Sequence, residues 1–117
     1  MVYGYLGVHD EKTDFMKLNE EGCDSIYKES DTSQTELRAL VRKLKKGDKL
    51  IILRPQNLGL TLDPMINYVN RILKKQADIV CPDSEWLNSE DARKKAILQE
   101  LIEIQSAQKL IKKSKGK

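Results

Sequence analysis

A single histidine, His9, stands beside Asp10 immediately after an apolar run at residues 2–8. An imidazole with a carboxylate neighbour can act as a general base or attack phosphorus, provided fixed cations stabilise the charge that develops. The polar string after the most strand-like run of the chain supplies Arg54, Gln56 and Asn57, and Arg54 is its one cation. Ser25, Ser30 and Ser33 add hydroxyls, of which Ser33 is accounted for by its S-x-x-E spacing to Glu36, a helix capping box. Phosphoryl transfer through His9 would need a cluster of arginines or lysines around it, and the sequence allows no such cluster to be placed; a solvated turn residue is the plainer reading. Cys23 and Cys81 have no C-x-x-C partner and one histidine cannot complete a zinc site, so buried free thiols are expected, with no metal and no cofactor.

These groups must be positioned by a small body. At 117 residues the chain has room for one domain, and a charged share of 33% against 39% hydrophobic describes a charged surface around a modest core. No stretch approaches the ~20 apolar residues of a membrane span. The apolar start lacks the basic flank of a secretory signal, so a cytoplasmic protein with no membrane partner is expected. Lys109, Lys112, Lys113, Lys115 and Lys117 close the sequence with no acid after Glu103; without these five lysines the net charge of +3 becomes −2. Such a tail (109–117) suits the phosphates of DNA or a solvated terminus equally.

The elements follow from periodicity. Residues 2–8 read as a buried strand, 13–21 as a short helix closed by Gly22, and 24–28 as a second strand. The capping box at Ser33 opens a helix whose apolar stripe is Leu37, Leu40, Val41 and Leu44. Residues 49–53 form the third strand, after a Gly47-Asp48 turn. Thr61 or Asp63 caps a helix near Pro64 that carries Met65, Ile66, Val69 and Ile72, and 77–81 return as a fourth strand. Alternating strands and helices predict an α/β fold, a central mostly parallel sheet of four to five strands flanked by helices. Reacting groups in such folds collect at the carboxyl ends of the strands, here His9, Asp10, Arg54, Gln56, Asn57 and Asp83.

The last third breaks the rhythm. A helix starting at Asn88 or Ser89 and running over about 89–113 is predicted, well beyond the ~12-residue mean. Ile97, Leu101, Ile104 and Ile111 make a stripe on it, widened by Ala96, Leu98, Ile102 and Leu110. That is wider than one small sheet can cover, which predicts a homo-oligomer, dimer or tetramer, joined through this helix. Trp86, just before it, is expected to staple the start of the helix.

Four strings in this order resemble the catalytic domain of small serine recombinases, the resolvase and invertase family, over essentially the whole chain. Y-G-Y-L-G-V at 3–8 is similar to the family's opening strand and T-E-L-R-A-L at 35–40 to its R-P-E-L-x-x-L helix. K-G-D-K-L at 46–50 is similar to x-G-D-x-L-x-V, and L-G-L-T at 58–61 to the end of D-R-L-G-R-S. In that family a serine after the first strand attacks a DNA phosphodiester while arginines hold the phosphate. Set against that pattern, the serine position is His9 and its neighbouring arginine is Gly7. The arginine ahead of P-E-L is Gln34, and D-R-L-G-R reads Gln56, Asn57, Leu58, Gly59 and Leu60. None of glycine, glutamine, asparagine or leucine reproduces the bidentate guanidinium fork.

The resemblance therefore implies a lost active site with no catalytic residue at Gly7, His9, Gln34, Gln56, Asn57 or Leu60. The family's long helix builds a subunit interface and leads to a helix-turn-helix domain; ending at Lys117, this sequence is expected to be a single domain over 1–117 without one. The expected function is a catalytically inactive module that self-associates through Ile97, Leu101, Ile104 and Ile111, alone or with an intact recombinase, and regulates or scaffolds site-specific DNA recombination. Two alternatives stay open. One is a nonspecific DNA-binding protein that grips the backbone through Lys109, Lys112, Lys113 and Lys115; the other is a phosphoryl-transfer enzyme using His9.

Overall fold

A computed structural model describes the backbone of residues 1–115 and side chains through Lys109. Four parallel strands, β1 (Val2–Leu6), β2 (Ser25–Lys28), β3 (Lys49–Ile51) and β4 (Asp78–Val80), form one sheet in the order β2-β1-β3-β4. The helices α1 (Lys12–Glu20), α2 (Thr35–Lys43) and α3 (Leu62–Lys74) connect them, and α4 (Ala92–Lys115) follows the sheet. The α/β architecture with a long last helix is as the sequence predicts, with four strands and all of them parallel; an isolated antiparallel bridge joins Val80 to Asn88.

Alternation along the strands assigns the two faces. Tyr3, Tyr5, Leu50, Ile52 and Ile79 point to the side where Leu37, Leu40 and Val41 of α2 and Val69 and Ile72 of α3 close the larger core, joined by Leu98 of α4. Leu6, Ile51 and Leu53 point the other way, onto Leu18 of α1. The helix α1 buries little else: Phe15 and Met16 are exposed, and its second inward residue is Asp14. Gly4 is what lets it approach, because a Cβ there would lie 2.9 Å from Cys23 Sγ and 3.1 Å from Leu18 Cδ1. Cys81 is buried and Cys23 half-buried, both reduced, and burial pushes both thiols above their usual pKa, so neither is a ready nucleophile.

Two helix starts differ from the sequence reading, those of α2 and α4. The first residue of α2 follows Gln34, which sits in the left-handed region at φ 57°, and Ser33 Oγ turns away to Asp31 and Thr35, so no capping box forms there. Thr61 is the N-cap of α3 but its side chain makes no capping bond. The long helix begins at Ala92, not at Asn88 or Ser89. Asp91 Oδ1 accepts the Arg93 and Lys94 N–H groups, whereas buried Ser89 turns its hydroxyl to Asp78 and receives the Ile79 N–H, pinning the chain to β4. Among the described residues no helix is long and apolar enough to cross a membrane.

Candidate functional site

The loops leaving β1, β2 and β3 at their carboxyl ends surround an open cleft of about 950 Å³. Gly7, His9, Gln34, Gln56, Asn57 and Leu60, scattered over fifty-odd residues, all line it. So do Asp10 and Arg54; Asp83, also expected at this edge, lines a smaller neighbouring cleft with Trp86 and Met65 instead. Trp86 is exposed there.

Charge, more than shape, defines what the cleft can hold. Asp10, Glu11, Asp14, Glu29 and Asp31 line it against two cations, Lys17 and Arg54. Arg54 is already taken: Nη1 donates to Asp10 Oδ1 at 2.7 Å and Nη2 to Asp14 Oδ1 at 2.9 Å. The other Asp10 oxygen accepts the Gly7 N–H at 2.7 Å, so the carboxylate next to His9 serves the turn and Arg54, not the imidazole. Lys28 straps the same turn by donating to the Gly7 and Asp10 carbonyls at 2.9 and 3.0 Å. His9 itself is exposed. An incoming phosphodiester would meet a surplus of carboxylates and an arginine whose fork is occupied.

The Asp14 carboxyl is held below the usual carboxylate range, first by the Glu11 N–H it accepts and then by Arg54. A depressed folded-state pKa means the unfolded chain binds the proton more tightly. The stabilisation is therefore complete above about pH 4, near the unfolded aspartate value, and is lost as pH falls through the folded value. Asp48, which accepts hydrogen bonds first from the terminal ammonium and then from the Lys45 N–H, is lowered in the same direction. Urea midpoints are expected to be flat from pH 7 to 5 and to drop below about pH 4, with a shallower drop in Asp14→Asn.

The wall opposite Arg54 is built around Gln34. Its amide nitrogen donates to the Asn57 and Leu58 carbonyls at 3.3 and 3.2 Å, and its Oε1 accepts from the Tyr68 hydroxyl at 3.4 Å. These bonds hold a left-handed non-glycine residue that would otherwise cost about 1 kcal/mol or more. Where the resemblance has an arginine aimed at phosphate, this chain has a tie between two loops. Asn57 is packed in as well, with its Nδ2 buried and without an acceptor among the described residues.

Gly59 closes the loop against α3: an added Cβ would lie 2.5 Å from Pro64 Cβ, a rigid ring atom. Its φ is not in the left-handed region, so the requirement is steric alone. Gly59→Ala is expected to lower the stability measured by urea unfolding by about 1–3 kcal/mol, the range for forced overpacking.

Sequence reasoning missed Glu29. It is buried directly after β2, and its carboxylate accepts the Tyr5 hydroxyl at 2.7 Å and the Glu36 and Leu37 N–H groups at 3.1 and 2.9 Å. It thus caps α2 from outside the helix, in place of Ser33. Burial, then the bond to Glu29, raises the Tyr5 hydroxyl far above its ordinary pKa, which keeps it a neutral donor. The signal available was an acid at the carboxyl end of a strand shortly before a helix, and the Ser33–Glu36 spacing masked it.

On α4, Leu98 is buried and Ile102 packs against the core, while Ile97 and Ile104 are 55% and 54% exposed and Leu101 is half-buried. The expected stripe is therefore split, one side used by the domain and the other left open. Gln105 donates to the Asp63 carbonyl and Lys109 reaches Asn67 Oδ1 at 3.4 Å, tying the helix to α3. The side chains of Ile111, Lys112, Lys113 and Lys115 lie outside the described residues. No group of three or more potential metal ligands converges among the described residues. Comparison of the sequence with protein-family models and with curated proteins gives no match.

Proposed function

We propose that the chain is a catalytically inactive module resembling the serine recombinases, which acts through self-association and regulates or scaffolds site-specific DNA recombination. The observation that carries this reading is convergence. The six positions assigned to nucleophile and phosphate clamp by sequence resemblance alone line one cleft at the sheet's carboxyl edge, and what fills it is wrong for phosphoryl transfer. The lone arginine is spent on two aspartates, the position of the nucleophile is an exposed histidine with no carboxylate to orient it, and carboxylates outnumber cations. Association is supported by the exposed isoleucines of α4.

The test is incubation with a labelled duplex carrying a nick that traps covalent intermediates, followed by a denaturing gel, with light scattering on the same sample. The expected result is no adduct and a mass of two chains or more. An adduct that vanishes in His9→Ala would replace this reading with an enzyme that uses histidine. To probe the link to recombination, an active serine recombinase is titrated with the protein; slowed or accelerated strand exchange together with a mixed oligomer is expected, and no effect at saturating concentration overturns that part.

A further inference from the structure

At the opposite edge of the sheet, the carboxyl ends of α2 and α3 meet. The Lys75 ammonium donates to the Arg42 carbonyl, and the Gly47 N–H to the Gln76 carbonyl at 3.1 Å, so the stretch 42–47 lies against 74–76. This brings Arg42, Lys43, Lys45, Lys46, Lys74 and Lys75 onto one corner, all exposed except half-buried Lys75. Among the described residues no carboxylate pairs with any of the six. Acids at this edge are on the α1 side of the sheet, as Glu20 and Glu21 are, or occupied: Asp24 by the Val2 N–H, Asp48 by the terminal ammonium and the Lys45 N–H, Asp78 by Ser89, Glu90 by Lys49.

Cations at a helix carboxyl end complement the helix dipole, and one or two per helix would need no other explanation. Six on adjoining ends, none paired with a carboxylate among the described residues, exceed that use and repel one another, even with Lys43 donating to the Tyr27 hydroxyl at 3.3 Å; the contrast with Arg54, clamped between two aspartates, is sharp. We propose that this corner is a docking surface for the sugar-phosphate backbone of duplex nucleic acid, bound without sequence selection. Charge favours an extended polyanion over a small phosphate ligand: the six cations are spread over the adjoining ends of two helices, and none of them lines either of the two clefts at the other edge. A membrane surface fits less well, since the large exposed apolar side chain at this edge is Met1, beside Asp48, and one such residue is far short of the apolar face of an interfacial anchor. The surface stands on charge alone, so it holds whether or not the cleft has the history proposed above.

The experiment is fluorescence anisotropy with a labelled 20-base-pair duplex of arbitrary sequence, over a range of salt concentrations, on the full chain and two variants. Lys45→Gln/Lys46→Gln/Lys74→Gln removes three of the corner's six charges and avoids Lys75, whose ammonium ties the two loops; Lys112→Gln/Lys113→Gln/Lys115→Gln removes three of the tail's five. Loss of three phosphate contacts should weaken binding by about tenfold or more near 0.1 M salt and flatten the plot of log K against log salt by up to about 2.7. Matching far-UV spectra and urea midpoints establish that the corner variant is folded. Corner variant binding like the parent overturns the proposal, as does binding lost only in the tail variant. So does anionic phospholipid vesicles binding through the corner more tightly than the duplex, or an oligomer mass that falls in the corner variant while duplex affinity stays the same.

Discussion

Glu29→Ala is expected to destabilise the protein by about 3 kcal/mol, a large share of the roughly 5–15 kcal/mol available to a small domain. The change removes one carboxylate and strands three donors: the Tyr5 hydroxyl inside the core and the Glu36 and Leu37 N–H groups at the start of α2. A buried donor left unsatisfied costs about 1–3 kcal/mol, and an ordinary N-cap removal about 1. The Leu37 and Tyr5 donors are buried, so water cannot replace the lost acceptor without opening the core. Glu29→Gln should lose less, because one amide oxygen still accepts while the amide nitrogen faces a donor. Tyr5→Phe should lose least, about 1 kcal/mol, because the carboxylate keeps both helix bonds. Urea unfolding of the three variants measures the order. A Glu29→Ala loss below about 0.5 kcal/mol would mean that the cap is not made.

The same residue shows how far sequence can be read. Strand and helix order was legible because apolar alternation on β3 and the stripes of α2 and α3 are local patterns, complete within a few turns. Ser33 and Glu36 gave a local capping signal that lost to a nonlocal one: Gln34 takes the left-handed conformation because its amide ties the 57–58 loop, which moves Ser33 out of reach, and Glu29 arrives from the neighbouring strand. Likewise Ser89 looked like a helix start, yet Asp78 and the Ile79 N–H of β4 claim its hydroxyl, so capping falls to Asp91. In the cleft, residue types were legible and pairings were not. That arginine is missing from positions 7, 34, 57 and 60 is a sequence fact; that Arg54 is neutralised by Asp10 and by Asp14, forty-odd residues away, required the fold.

The open side of α4 gives the second large effect. Ile97 and Ile104 are one heptad apart, with Leu101 between them, the spacing of a helix-pairing seam, and both point away from the core that holds Leu98. In a two-fold dimer each position occurs twice, so Ile97→Lys/Ile104→Lys places four charges in the seam. Burying an isoleucine contributes about 1.5–3 kcal/mol, and a lysine in its place adds a desolvation penalty, so the dissociation constant should rise at least about 100-fold. The fold itself should be nearly indifferent, within about 0.5 kcal/mol for exposed helix positions. Leu98→Ala should behave in the opposite way: one position along the same helix, it removes a side chain with no exposure and should destabilise the monomer by about 2–5 kcal/mol while leaving the seam intact. Sedimentation equilibrium and urea unfolding, run on both variants, separate the two faces. If the double lysine variant sediments as the parent does, α4 is not the contact between copies, and the two isoleucines are ordinary exposed apolar residues of a charged surface.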